Sequence, residues 1–247
     1  MIGAFIGDLA SWTYTNDHDK FYPQLFSDVA QRSMYSDEIL FTAKTLTENP
    51  FISRDEFMRM HQCGFGNAKV NAEYDLLRSI VIGWMYDEDA IPNTIYTYCL
   101  RDEKEELYAS NFLANLIYKL RTGTTKKNAA QVKFCGTFRS FTKADHWKTG
   151  NGVLSYLVRA WMSFYDAFDF GSVIHNAVKK PGNMTLNCIL AGALADAMYG
   201  CENYFVKKKF EGGRYIGNLD FVDNSLYNLI ESKRTFFPKN NARTNIE

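Results

Sequence analysis

The sequence has little proline, no net charge and no paired-cysteine spacing, and each shortage excludes a class of protein. Only 5 of 247 residues are proline, which leaves room for long uninterrupted helices. Acidic and basic residues balance at 28 each, so nucleic acid is not an expected partner. Five cysteines without C-x-x-C spacing indicate reduced thiols, not a disulfide framework or a zinc site. These features predict a cytoplasmic protein.

Several catalytic and targeting motifs are also missing. The four histidines show no H-x-x-x-H or H-E-x-x-H spacing, and no serine lies in a G-x-S-x-G elbow. The apolar amino terminus lacks a basic start and reaches Asp8 early, so it predicts neither a signal peptide nor a membrane anchor. The basic clusters Lys126-Lys127 and Lys207–Lys209 are interpreted as solvated faces. No membrane partner is expected.

Helical periodicity is the main feature that the sequence does contain. Apolar residues recur at helical spacing in several windows, and clear period-2 strands are scarce. The segment 100–123 passes from acidic to apolar residues and ends in Arg121 before Gly123, which predicts one long helix. A second helix is predicted over 152–168. Because no repeat or linker divides the chain, we predict one compact all-α domain over 1–238 and a polar tail at 239–247.

The segment 182–200, GNMTLNCILAGALADAMYG, predicts a turn followed by a helix at the centre of the core. Its alanines and Gly192 leave a thin cylinder over 186–199 that neighbouring helices can approach closely. Asn183 and Thr185 stand at its beginning, where two acidic residues could hold a metal ion. Neither residue is charged, so the start of this helix does not supply the carboxylates that a metal site would need.

The triplet Ser36-Asp37-Glu38 lies where another apolar helix begins. Hydroxyl and carboxylate oxygens are ligands that a hard divalent cation prefers. The alternative is ordinary capping, with Ser36 as N-cap and both acids in the first turn, and capping is the more frequent reason for such a triplet. The glycines of Gly64–Asn67 and Gly150–Gly152 would let a phosphate or ribose come close, but they are equally typical of loops.

Residues 2–14 (IGAFIGDLASWTY), 35–46 (YSDEILFTAKTL) and 182–200 together resemble the ADP-ribosylglycohydrolase family, in that order. The family's counterparts are G-A-I-I-G-D-I, then F-[FT]-T-D-D-[ST], then L-G-G-D-x-D-T before a small-residue helix. The resemblance spans nearly the whole chain. It implies a compact all-α domain, and the active members of that family use two magnesium ions to cleave ADP-ribose from its acceptors.

The family's ribose loop, G-N-G-[SA]-A-M-R, continues into a segment that LRSIVIGWMYD at 77–87 resembles. This register places the loop on 72–74, where both glycines are lost, and its serine on Asp75. The G-N-G at 150–152 is then a coincidence. Glu73 and Asp75 become candidate ligand-binding residues, since acids stand where the ribose loop would be.

Most positions that carry the family's chemistry hold other residues here. The opening glutamate falls on Thr15. The two metal-binding aspartates of the closing element fall on Asn183 and Thr185, and the following threonine falls on Leu186. Because Mg²⁺ favours carboxylate ligands in octahedral order, the loss of two carboxylates makes a two-metal centre improbable. At most one Mg²⁺ is expected, at Ser36-Asp37-Glu38.

Asp8, the third candidate ligand-binding residue, and the triplet keep chemistry comparable to the family's, with a glutamate in place of the second aspartate. The resemblance therefore implies an ADP-ribosylglycohydrolase-like protein with impaired catalysis, a pseudoenzyme that binds ADP-ribose, a related nucleotide or a protein partner. Two alternatives stay open. One is a divergent Mg²⁺-dependent hydrolase that uses Glu73 or Asp75, and the other is a purely structural helical interaction module, suggested by the 15% aromatic content.

Overall fold

Helices make up the regular secondary structure of this protein. The computed structural model describes residues 1–16, 25–27, 29–66, 72–99, 104–129, 152–201, 219, 221–222 and 224–233, and no strand occurs within these ranges. The helices are α1 (Ile2–Asn16), α2 (Met34–Glu48), α3 (Arg54–Phe65), α4 (Ala72–Met85), α5 (Ile91–Tyr98), α6 (Lys104–Arg121), α7 (Lys126–Ala129), α8 (Val153–Tyr165), α9 (Phe170–Ala177), α10 (Met184–Tyr199) and α11 (Asn224–Ser232). The predicted all-α fold is confirmed.

Helix α10 is the central helix, as its small residues predict. Residues 186–197 are buried on every side, and α10 packs against α1, α6, α8 and α9. A Cβ atom on Gly3 would lie 2.3 Å from the Gly192 carbonyl oxygen, and one on Gly7 would lie 2.2 Å from that of Cys188. Any larger residue at these two positions would push α1 away from α10.

A buried carboxylate adds a polar contact to this helix pair. Asp196 of α10 accepts hydrogen bonds from the Met1 ammonium at 2.5 Å and from the Gly3 N–H at 3.0 Å. Both side chains of the ion pair are at most 1% exposed. The amino-terminal turn of α1 is thereby fixed against α10, which positions the rest of α1 beside the start of α10.

The predicted helix boundaries are correct in outline and differ in two places. The helix predicted over 152–168 is α8, which ends earlier, at Tyr165, and α9 begins separately where the Asp169 side chain caps it by accepting from the Ser172 N–H at 2.8 Å. Residues 72–74, where the resemblance placed a loop, are the first turn of α4. Gly66 has φ of 66° where α3 ends, so that glycine terminates a helix.

Some predicted features lie outside the described residues. They are the polar tail 239–247, the cluster Lys207–Lys209 and the first two residues of 150–152. The free thiols among the described cysteines include Cys63, Cys99 and Cys188. Among the helices described, none has the length and apolar character needed to cross a bilayer.

The interpretation of Lys126-Lys127 as a solvated face is wrong for Lys126. Its ammonium donates to the carbonyl oxygens of Phe164 at 2.7 Å and Tyr165 at 3.0 Å, and also to that of Ala167. These carbonyls lie at the end of α8, where the helix dipole favours a cation. Burial lowers the pKa of Lys126 to about 8, against the opposing charge of Asp166. This lysine therefore caps α8.

Lys126→Met is expected to lower the free energy of unfolding by about 2 kcal/mol, because charge-assisted hydrogen bonds to several carbonyls are lost together. Urea unfolding followed by circular dichroism measures the change. Lys127→Met is the matched control, since Lys127 is exposed and should change stability by less than about 0.5 kcal/mol. Equal effects of the two variants would contradict the capping role of Lys126.

Candidate functional site

The amino-terminal ends of three helices meet beside the middle of α1. Tyr35 is the second residue of α2, Glu73 is the second residue of α4, and Asn183 is the N-cap of α10. Hydrogen bonds between side chains join these ends to each other and to α1. We call this region the helix junction, and its residues are Asp8, Ser11, Tyr35, Ser36, Glu73, Asn183 and Thr185.

Asn183 uses both ends of its amide. The Oδ1 atom accepts from the Leu186 N–H at 3.1 Å and so caps α10, while Nδ2 donates to the Tyr35 hydroxyl at 2.8 Å. An aspartate at this position could also cap the helix, but it could not donate to Tyr35. Leu186 itself is fully buried in the core.

The Tyr35 hydroxyl also forms a hydrogen bond with a residue of α4. It donates to Glu73 Oε2 at 2.5 Å, so one oxygen links Asn183 with Glu73. Burial, followed by the hydrogen bond and the charge of Glu73, raises the pKa of Tyr35 well above its ordinary value. The phenol is therefore neutral at physiological pH. Glu73 lies in the first turn of α4, where the helix dipole favours an anion.

Helix α1 is joined to α10 on the other side of the helix junction. The Ser11 hydroxyl lies 3.0 Å from Thr185 Oγ1 and 2.8 Å from the Asp8 carbonyl oxygen, and it can donate to either. Thr15, one turn further along α1, donates to the Ser11 carbonyl oxygen at 2.8 Å and is exposed. The structure thus brings Thr15, Thr185 and Asn183 to the same side of α1.

Asp8 is the buried acid of the helix junction. Its Oδ2 atom accepts from the Ser36 hydroxyl and from the Ser33 N–H at 2.8 Å. Burial raises the pKa of Asp8, these hydrogen bonds oppose the rise, and the nearby charge of Asp37 adds to it. The N-cap of α2 is Ser33, whose side chain accepts from the Tyr35 N–H. The prediction that Ser36 caps this helix is therefore wrong.

The three side chains of Ser36-Asp37-Glu38 engage three different partners. Ser36 binds Asp8, and the half-exposed Asp37 pairs with Arg32 at 2.8 Å. Glu38 is fully buried and turns into the core. Binding of Mg²⁺ by all three residues would require Glu38 to break its contacts in the core.

Those partners form a buried charged cluster between α2, α3 and α4, which we call the core network: Glu38, His61, Asp75 and Arg78. Glu38 Oε1 accepts from Arg78 Nε at 2.7 Å, and Glu38 Oε2 lies 2.6 Å from His61 Nε2. Arg78 Nη1 donates to Asp75 Oδ1 at 2.7 Å. Asp75, a predicted ligand-binding residue, is therefore committed to an ion pair that is at most 1% exposed.

No role was predicted for His61 or Arg78 from the sequence. Arg78 stands alone as a charge inside the apolar run LLRSIVIGWM, and a buried arginine needs a carboxylate partner. That signal could have indicated a core ion pair, although not its members. His61 carried no comparable signal, because its environment of Phe41, Phe65 and Tyr74 rings comes from three helices.

Within the described residues, no group of three or more His, Cys, Asp or Glu side chains is arranged to hold a metal ion. The acids near the helix junction are Asp8, Asp37 and Glu73, and each accepts a hydrogen bond from a protein donor. A cation that entered here would have to compete with those donors. The chemistry that the arrangement supports directly is hydrogen bonding, with neutral groups linking the helix ends.

Helix α1 packs on the small-residue helix α10, and the helix ends of the helix junction meet beside this pair. A solved structure described as an ADP-ribosylglycohydrolase-related protein complex is similar, with a TM-score of 0.64 and 16% sequence identity. The similarity covers 94% of this chain and 93% of that chain. No family model and no curated protein sequence matches the chain. At this identity the likeness establishes the fold.

Proposed function

We propose that this chain is a non-catalytic protein with the ADP-ribosylglycohydrolase fold, which binds an ADP-ribose-like nucleotide or a protein partner through the helix junction. The observation that carries the proposal is the state of Asn183 and Thr185. Both are uncharged, and both contact protein groups that belong to the helix junction. The two positions where the resemblance would place anionic metal ligands are thus held by uncharged side chains that form hydrogen bonds with the protein.

Loss of these charges weakens catalysis for a simple physical reason. Activation of water by two metal ions needs several anionic oxygens in fixed positions, and Mg²⁺ surrenders its hydration shell reluctantly. Glu38 could contribute only by abandoning Arg78 and His61 in the core. Thr15, in the place of an acidic residue, offers a hydroxyl whose proton is already donated to α1. We therefore expect at most one Mg²⁺ and no efficient hydrolysis.

Binding of an anionic nucleotide is compatible with the field at the helix junction. Three helix amino termini, each carrying partial positive charge, meet there. The Arg159 guanidinium of α8 lies beneath the turn before α10, since a Cβ on Gly182 would stand 2.5 Å from its Nη1 atom. Glu73 opposes this field. Asp8 and Asp37 oppose it as well, so the helix amino termini and Arg159 are the groups that would bind a phosphate.

A protein partner is the other form of the proposal. The solved structure that resembles this chain is described as a protein complex, which supports a partner-binding role here. The helix junction is suited to that role, since a partner needs no metal and can be recognised by half-exposed hydrogen-bonding groups such as Tyr35 and Asn183.

Calorimetry with ADP-ribose, with and without Mg²⁺, and a hydrolysis assay on ADP-ribosylated arginine and serine peptides test this function. We expect binding that Mg²⁺ leaves unchanged, and no turnover above background. Turnover near that of active ADP-ribosylglycohydrolases would reject the proposal. If that turnover were abolished by Asp37→Ala, the divergent one-metal hydrolase would replace it.

A further inference from the structure

Helices α2 and α4 run side by side from the helix junction to the opposite end of the pair. They begin together, where Tyr35 contacts Glu73, and they end together, where the Tyr86 hydroxyl lies 3.5 Å from the Pro50 carbonyl oxygen. Helix α4 has 14 residues, so its two ends are about 20 Å apart. A small molecule bound at the helix junction would not reach the far end of this pair.

Two aromatic side chains at this far end are exposed. Phe51, in the connection between α2 and α3, is 95% exposed, and Tyr96 of α5 is 64% exposed. Arg54, three residues after Phe51, places its guanidinium 5.9 Å from the centre of the Tyr96 ring, so both rings belong to the same part of the surface. The connection itself is held by the Tyr98 hydroxyl, which donates to the Ile52 carbonyl oxygen at 2.9 Å. The Phe51 ring is not needed to fix it.

Exposed acids accompany these two rings. Segments 45–53 and 79–99, which build this end, contain four acids and no lysine or arginine. The carboxyl-terminal ends of α2 and α4 add partial negative charge at the same place. We call this region the acidic aromatic surface, and its residues are Glu48, Phe51, Asp87, Glu88, Asp89 and Tyr96.

Basic side chains from α6 reach the acidic aromatic surface without covering its acids. Lys119 Nζ lies 3.5 Å from Glu88, whose side chain is still 52% exposed. The buried Arg121 lies 3.9 Å from Asp87, whose side chain is 90% exposed. Asp89 is exposed and forms no ion pair with any residue that the structure describes. These carboxylates can therefore pair with a cation that comes from outside the chain.

We propose that the acidic aromatic surface binds an arginine-containing basic segment of a protein partner. A guanidinium can stack on an exposed aromatic ring while it pairs with a carboxylate. Arg54 makes the stacking contact with Tyr96 within the chain itself. The acids would repel nucleic acid and anionic membranes, so a basic protein segment is the occupant that fits both the rings and the charge. This inference goes beyond the proposed function, which concerns the helix junction.

Fluorescence anisotropy of the full chain with a labelled short peptide of alternating arginine and glycine tests this surface. We expect binding with a Kd of about 10–100 μM, and no binding when glutamate replaces arginine in the peptide. Phe51→Ser should weaken binding of the arginine peptide about five- to tenfold, because the most exposed ring is lost. Asp89→Lys should weaken it about tenfold at low salt and less at high salt.

Phe168→Ser and Glu105→Lys are the matched controls, and neither should change peptide binding. Phe168 is an exposed phenylalanine in the connection between α8 and α9. Glu105 is an exposed acid in the first turn of α6, at the opposite end of that helix from Lys119. Urea unfolding of Phe51→Ser should match that of the wild type, since the Phe51 ring is almost fully exposed.

The proposal requires weaker binding in both surface variants and in neither control. Any other pattern contradicts it, as does a wild type that fails to bind the arginine peptide at about 1 mM. Sedimentation analysis covers a second occupant: a dimer that Phe51→Ser abolishes would show that the surface binds another copy of the chain, which would overturn the proposal. No residue of the helix junction is changed, so failure here leaves the proposed function standing.

Discussion

Arg78→Met is expected to lower the free energy of unfolding by about 3–5 kcal/mol, which is a large part of the stability of a typical domain. The guanidinium lies between the carboxylates of Glu38 and Asp75, and all three side chains are at most 1% exposed. Its removal leaves the buried carboxylates of Glu38 and Asp75 without their shared guanidinium partner, and loss of one member of a buried ion pair is among the most costly changes in a protein core. Methionine fills a similar volume, so the loss reports charge more than packing.

Urea unfolding followed by far-ultraviolet circular dichroism measures this effect. The matched control is Arg32→Met, which removes the same group from the half-exposed pair with Asp37 and should cost about 1 kcal/mol or less. A double-mutant cycle with Glu38→Gln adds a sharper criterion. Because Glu38→Gln removes one of the charges that Arg78 neutralises, the double variant should lose less stability than the sum of the two single variants. Strict additivity would contradict the core network.

The fold was predictable because its strongest signals are local. The alanines of 186–199 and its single glycine, Gly192, are typical of a helix that others approach closely, and the structure places that helix at the centre. The end of α8 was predicted too late, at Phe168 and not at Tyr165, since apolar residues continue to Phe168 and the cap at Asp169 was not recognised. A side-chain cap of this kind outweighs periodicity at a helix boundary.

The directions in which the side chains of the candidate site residues point were harder to predict than the fold. Helix α2 begins at Met34, so Ser36, Asp37 and Glu38 are already helical and their side chains leave about 100° apart. Ser36 consequently meets α1, Asp37 meets solvent, and Glu38 meets the core. A helix start assigned three residues too late, with Ser36 and not Ser33 as the N-cap, made these three side chains look convergent.

Tyr35 shows a different limit of sequence reasoning. It stands inside the segment YSDEIL that resembles a family motif, yet no motif position gives it a role. Its partners come from two other helices, and only the packing of α2, α4 and α10 brings them together. The uncharged side chains of Asn183 and Thr185 were visible in the sequence, whereas the hydrogen bonds that these residues make were visible only in the structure.

Restoring two acids at the helix junction should make the protein respond to magnesium. We expect Asn183→Asp/Thr185→Asp to be about 1–2 kcal/mol less stable than the wild type without divalent cations, because the new carboxylates repel the acids already present. Binding of Mg²⁺ to the new carboxylates would raise the free energy of unfolding again. At a Mg²⁺ concentration 100 times the Kd, the gain is about 2.7 kcal/mol, or roughly 5–10 °C in Tm for a chain of this size.

Thermal unfolding in Mg²⁺ and in NaCl of equal ionic strength separates ion binding from screening of the new charges. The wild type should show no Mg²⁺-specific rise in Tm, and Asn183→Asp alone should show a small one, since it supplies one carboxylate and retains the cap of α10. If the double variant responded to Mg²⁺ no more than the wild type, the uncharged side chains of Asn183 and Thr185 would not be what limits Mg²⁺ binding. A Mg²⁺ response without hydrolysis would instead point to Thr15, where the resemblance places a further acidic residue.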